Sequence, residues 1–224
     1  MIVPRWAAGK ETEMNNKLMQ ENGFMPWEQN PECFKINKRA PHTDIIPFPT
    51  LEDALAWNKD ARAVTDLNGV WKFRFFENPD ACDAAFPEGL EQIVDTHAWG
   101  QIKVPANWQL EGYDYPQYVN VKYPCEMTGD IMPPQIPRKY NPVGIYSRSF
   151  DVDAKEGQKL ILHFDGIESC GEIYVNGVFA GYTEGSFTPA EFDITELVKN
   201  GVNQLVVKVL RWCDGSWLED QDFF

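Results

Sequence analysis

Basic residues are scarce in this 224-residue chain: 20 lysines and arginines stand against 34 aspartates and glutamates, for a formal net charge of −14. So acidic a surface releases no counterions from phosphates, which argues against nucleic acid and anionic membrane as partners. Histidine is scarcer still, and His42, His97 and His163 are too far apart for metal-ligand or Ser-His-Asp spacing. The five cysteines, Cys33, Cys82, Cys125, Cys170 and Cys213, are odd in number and form no Cys-x-x-Cys pair. They are expected as free thiols rather than as zinc ligands or a disulfide framework. No apolar run approaches the ~18 residues of a membrane span, and the start has no basic region followed by an apolar core. Cytoplasm and periplasm both stay open. Glycine appears singly or in turns, without a pattern that cradles phosphate.

What the chain has is aromatic residues, at 13%, and short alternating runs. Sugars are natural candidate ligands for such a composition, because their C–H faces pack on rings. Residues 1–60 are expected to form an irregular arm with one short helix, from Leu51 to about Lys59, announced by Thr50 three residues before Asp53. Strands follow. Val70 to Phe75 places Trp71, Phe73 and Phe75 on one face, and Gln101 to Pro105 makes a short second strand. The acidic segment from Asp80 to Glu91 reads as an irregular excursion with a helical turn.

Further strands are expected over 145–152, 159–164 and 204–212, with a hairpin of 172–175 and 178–182 closed by Asn176-Gly177. A second short helix is expected from Thr195 to Lys199. Strands so closely spaced, broken by Gly, Pro and Asn turns, specify an all-β antiparallel sandwich or jelly roll over 61–224.

Two stretches carry candidate chemistry. Residues 211–222 follow the last strand and gather Asp214, Glu219, Asp220 and Asp222 beside Arg211, Trp212 and Trp217. A glycosidase needs two carboxyls roughly 5–10 Å apart on opposite sides of the scissile bond, which neighbours on one short loop do not provide. The acids therefore form either a solvated loop or a place where one carboxylate orients a ligand or binds a hard cation. The other stretch is Tyr118-Val119-Asn120, where an amide can both donate to and accept from sugar hydroxyls or can simply form a turn. Trp108, Trp212 and Trp217 can stack on sugar or pack in the core.

The pieces Leu67-Asn68-Gly69-Val70-Trp71, Val104-Pro105-Ala106-Asn107-Trp108, Pro116-Gln117-Tyr118-Val119-Asn120-Val121 and the closing run to Asp222 occur here in order. Together they resemble the amino-terminal region of the family 2 glycoside hydrolases, and more narrowly of the large bacterial β-galactosidases. The resemblance implies a jelly-roll sugar-binding domain, galactose-binding-domain-like, that precedes an immunoglobulin-like domain and a catalytic barrel. It also implies hydrolysis of terminal β-D-galactosides with retention by two barrel glutamates, neither in this chain. By position in the motif, Asn120 and Asp222 match residues that bind the galactosyl unit, and Asp222 matches a sodium ligand. Magnesium would belong to the catalytic domain and not to this chain. The expected partners are a β-galactoside, the remaining domains of the parent enzyme and other copies of it. The family continues past this point into a further strand, so the sandwich is expected without its last strand. A freestanding carbohydrate-binding module, or the same domain of a β-glucuronidase or β-mannosidase, is the alternative.

Overall fold

The computed structural model describes residues 26–118, 123 and 131–219. Its centre is a seven-stranded antiparallel sheet in the order β1-β7-β6-β9-β4-β2-β3. These strands are β1 (Lys35–Ile36), β2 (Gly69–Phe76), β3 (Gly100–Val104), β4 (Val143–Val152), β6 (Cys170–Val175), β7 (Val178–Glu184) and β9 (Gly201–Leu210). A two-stranded sheet of β5 (Ile161–Phe164) and β8 (Ala190–Asp193) packs against it. The result is the antiparallel β-sandwich that the strand spacing implies.

Both faces of the large sheet are covered. Between the sheets lie Trp71, Phe73, Ile173, Val175, Leu205 and Val207, packed with Leu162, Ala190 and Phe192 of the small sheet. On the other face Val143, Ile145, Tyr174, Tyr182, Val206 and Leu210 meet Ile36, Cys82, Leu90 and Ile93. Val206 and Val207 thus point to opposite clusters, as alternation along a strand requires. Each fully buried side chain of this size stabilises by about 1.5–3 kcal/mol relative to exposure.

Local chemistry accounts for the turns. Asn176 and Gly177 have φ of 51° and 74°, the left-handed pair that a two-residue type I′ hairpin between β6 and β7 needs. The first helix, α1 (Leu51–Leu55), starts at Thr50, whose Oγ1 accepts from Asp53 N at 3.1 Å. It stops four residues short of the expected Lys59. Trp57 turns left-handed at φ 51°, and Asn58 bonds to Asp53 through both its backbone and its side chain. The acidic excursion holds a full helix, α2 (Pro79–Ala85), because Asn78 Oδ1 caps Ala81 N at 2.8 Å and Pro79 stands in the first turn.

The helix expected at 195–199 is absent, and a turn takes its place. Asp193 Oδ1 accepts from Thr195 N, and Asn203 Oδ1 accepts from Lys199 N at 2.9 Å, so side chains satisfy the backbone groups a helix would have used. Cys33, Cys82, Cys170 and Cys213 are free thiols. Cys125 lies outside the described residues, as do residues 1–25. Among the described residues no helix is long and apolar enough to cross a membrane.

Candidate functional site

The sheet order decides which loops meet. Leu210, the last residue of β9, pairs with Val143 at the start of β4 and with Cys170 at the start of β6. The chain leaving β9 therefore emerges beside the segment entering β4. Arg211 N donates to Pro142 O at 2.9 Å. Asn141, fully buried, donates its amide to Trp212 O at 2.9 Å and accepts from Trp212 N at 3.0 Å. This reciprocal pair leaves neither backbone group of Trp212 unsatisfied in the interior.

The loop after β3 is fastened to the same place by one carboxylate. Asp114 Oδ2 accepts from Arg211 Nη1 at 2.7 Å and from Trp108 Nε1 at 3.2 Å, while its Oδ1 accepts from the Tyr140 hydroxyl at 2.5 Å. The Arg211 guanidinium lies over the ring of Trp212 at 4.7 Å and over that of Tyr115 at 5.5 Å. The side chains of the Arg211–Asp114 pair are 9% and 0% exposed, so both charges are withdrawn from water and depend on each other. Burial first, and then the bond to Asp114, push the Tyr140 hydroxyl well above its ordinary value.

Further along, α3 (Ser216–Glu219) is held at both ends. Trp217 Nε1 donates to Gln135 O at 2.8 Å, and its ring meets that of Tyr123 edge-on at 4.7 Å. The Glu219 carboxylate accepts from Ser186 N at 3.0 Å and from Ser186 Oγ at 2.6 Å. The acidic stretch is thus no solvated loop through Glu219. Asp214 is buried as well.

Asp214 belongs to a second group of polar side chains. Tyr182 donates its hydroxyl to Glu184 at 2.5 Å, and Glu184 and Asp214 are hydrogen-bonded to each other. Burial raises both carboxyls, Glu184 the more strongly, so the pair keeps a proton on Glu184. The ligand atoms of Glu184, Cys213 and Asp214 lie within 4.8 Å of one another, which makes them the set among the described residues that could hold a metal ion.

Asn120 and Asp222, the two residues singled out from the sequence, lie outside the described residues. What is described are their flanks: Tyr118, 79% exposed, and Tyr123 on either side of Asn120, and the helix ending at Glu219 before Asp222. The three tryptophans offered as sugar platforms, Trp108, Trp212 and Trp217, are 5%, 2% and 6% exposed and serve as core. No local pattern in the sequence assigns a role to Asp114, Asn141, Glu184 or Ser186. Their partners stand 97, 71, 30 and 33 residues away, respectively, beyond any local pattern. An open cleft of about 380 Å³ lined by Arg74, Phe86, Gln92 and Trp99 takes in none of these residues.

The family model described as "Glycosyl hydrolases family 2, sugar binding domain" matches residues 64–224. A protein of Priestia megaterium named β-galactosidase is 44% identical over 207 residues, which is 91% of this chain and 20% of that protein. A β-galactosidase of Halalkalibacterium halodurans is 38% identical over 92% of this chain and 20% of its own length. The chain therefore spans about a fifth of the length of these curated relatives. Among solved structures, a β-glucuronidase from an uncultured Clostridium sp. aligns at 24% identity over 65% of this chain and 21% of that one, with a TM-score of 0.45.

Proposed function

The chain belongs to glycoside hydrolase family 2, whose sugar-binding domain it forms, and we propose that it lines the galactose subsite of a longer β-galactosidase. In this role the domain orients a terminal β-D-galactoside for retaining hydrolysis by two glutamates carried elsewhere in the polypeptide. The Asn120 amide donates to and accepts from sugar hydroxyls. The Asp222 carboxylate accepts from a hydroxyl and also offers oxygen to a sodium ion, a hard cation that takes such ligands. Magnesium is left to the catalytic domain.

The observation that carries this proposal is the joining of the two segments that bear these residues. Arg211 and Asp114 tie the loop after β9 to the loop after β3 at 2.7 Å. The Tyr123 ring, three residues past Asn120, packs on Trp217, five residues before Asp222. Two binding groups delivered from separate loops need such a fastening to hold a common substrate, since small misplacements are costly in rate. The naming of the curated relatives as β-galactosidases supports the choice of sugar.

The test is Asp222→Ala in the full-length enzyme, with Asn120→Ala beside it. Each is expected to lower kcat/KM for a β-galactoside by on the order of several kcal/mol of transition-state binding. Asp222→Ala should also remove any response to sodium. Unchanged kinetics in both variants would take these residues out of the subsite. The isolated 224-residue chain is expected to hydrolyse no chromogenic galactoside.

A further inference from the structure

Phe73 and Phe75 of β2 pack between the two sheets, so Arg74 and Phe76 point to the outer face of the large sheet. There the Arg74 guanidinium lies over the rings of Phe76 and Phe86 at 5.1 and 5.3 Å, and Phe86 stands 6.0 Å from Trp99. Arg74, Phe86 and Trp99, with the segment that follows α2, line the open cleft of about 380 Å³.

Its walls are held by bonds and packing of their own. Phe86 N closes α2 by donating to Cys82 O at 3.1 Å, Gly89 N donates to Phe86 O at 3.0 Å, and Ile93 N donates to Leu90 O at 3.1 Å. Leu90 and Ile93 are buried in the outer cluster, and Phe86 and Trp99 pack against it. The segment that leads into β3 is fixed in turn, because Lys72 Nζ donates to His97 O at 3.0 Å and Trp99 N to Thr96 O at 3.1 Å. Small-ligand sites are largely preformed clefts of this kind, with apolar walls and a few convergent polar groups.

The polar groups here are uncommitted. The side chains of Arg74, Glu88, Gln92 and Trp99 make no hydrogen bond to any described residue, and Asp95 uses one oxygen for His97 N. Donors and acceptors thus stand together beside aromatic rings. An anionic ligand would face Glu88 and Asp95, and a cationic one would face Arg74. A neutral polyhydroxylated ligand suits both, since each hydroxyl donates and accepts, and the C–H face of a pyranose packs on a ring.

We propose that this cleft is a second saccharide site, which holds part of a neutral oligosaccharide of β-linked galactose against Trp99, Phe86 and Arg74. None of its lining comes from the loops after β3 and β9. The sugar chemistry follows from the cleft, and the choice of galactose rests on the reading of the chain as part of a β-galactosidase.

The experiment is affinity electrophoresis of the full-length enzyme in native gels with and without soluble β-1,4-galactan. Galactan is expected to retard the enzyme, and the affinity read from mobility against galactan concentration is expected to fall about tenfold in Arg74→Ala and in Trp99→Ala. Because Trp99 also packs on the outer cluster, Gln92→Ala on the exposed rim stands beside them and should weaken retardation too. All three are expected to keep their kcat/KM for a chromogenic galactoside, and Asp222→Ala is expected to keep its retardation. The proposal is overturned if galactan does not retard the unsubstituted enzyme, or if Arg74→Ala and Gln92→Ala are retarded as before. Loss of retardation in Asp222→Ala, or stronger retardation by anionic polygalacturonan than by galactan, overturns it as well. Hydrolysis by the same preparation separates the two readings: an active enzyme that galactan does not retard removes the cleft alone, whereas an inactive unsubstituted enzyme removes the β-galactosidase reading.

Discussion

Arg211 Nη1 stands 2.7 Å from Asp114 Oδ2, in an ion pair almost wholly withdrawn from solvent. This pair, with the Asn141 amide clasping Trp212, ties the described parts of the loops after β3 and β9 to each other.

Asp114→Asn keeps the shape of the side chain and leaves the Arg211 guanidinium buried without a counter-charge. The expected loss is about 3–5 kcal/mol of stability, read as a shift of the urea midpoint. Adding Arg211→Gln should restore most of that loss, because the cost lies in the orphaned charge. A double variant no more stable than Asp114→Asn would show that the pair does not act as a unit.

The Glu184–Asp214 pair makes stability depend on pH in the sense opposite to an ordinary salt bridge. Burial raises the folded Glu184 carboxyl far above the ordinary 4.5, so the folded state holds a proton that the unfolded chain has released. Its contribution is complete below 4.5 and is lost as pH rises through the raised value. The melting temperature is therefore expected to decline from neutral to alkaline pH. Glu184→Gln, which carries a neutral amide in place of that proton, should flatten the decline; an unchanged slope would remove Glu184 as its source.

Glu191 makes a pH window of its own. The rings of His42 and His163 present both nitrogens to acceptors: Thr43 O and Glu191 Oε2 for His42, Asp165 Oδ1 and Glu191 Oε1 for His163. Only the doubly protonated ring satisfies both. The bond to Thr43 O, then that to Glu191, raises His42; for His163 partial burial opposes the rise but the two carboxylates outweigh it. Glu191 is lowered, since His42, His163 and Arg39 together exceed its own desolvation. The histidine contributions are present below 6.5 and fade as pH climbs past their raised values, while that of Glu191 is present above 4.5 and fades in acid. Amide exchange at Arg39, bonded to Glu191 O, should accordingly be slowest relative to the intrinsic rate between those limits. Glu191→Gln should abolish the window.

Gly144 in β4 is a packing constraint. A Cβ there would stand 2.6 Å from Trp108 Cζ3 and 2.8 Å from Phe73 Cε2, both in the core. Gly144→Ala is expected to cost about 1–3 kcal/mol by overpacking, with a change in the near-ultraviolet dichroism of Trp108. A neutral substitution would mean the ring has room to move.

Periodicity and turn chemistry by themselves determined β2 to β7 and β9, the Asn176-Gly177 hairpin and the Thr50 cap, because each depends on residues within a few positions of one another, whereas the short β1 and β8 carry no such local pattern. The ordered motifs likewise sufficed for the family. Helix ends were less legible: Thr195 to Lys199 has the length and sequence of a short helix, but Asn203 and Asp193 take its backbone donors. What only the tertiary structure decided is who meets whom. Asp114 reads as one more polar residue in an aromatic loop until the sheet order sets it beside Arg211, 97 positions on. Glu184 reads as a strand end until β9 delivers Asp214 to it. Leu51 and Leu55 of α1 carry no local sign of their surroundings, and the fold leaves both in the open. Desolvation is the common reason: it depends on every element packed around a group, and no local stretch of sequence carries that information.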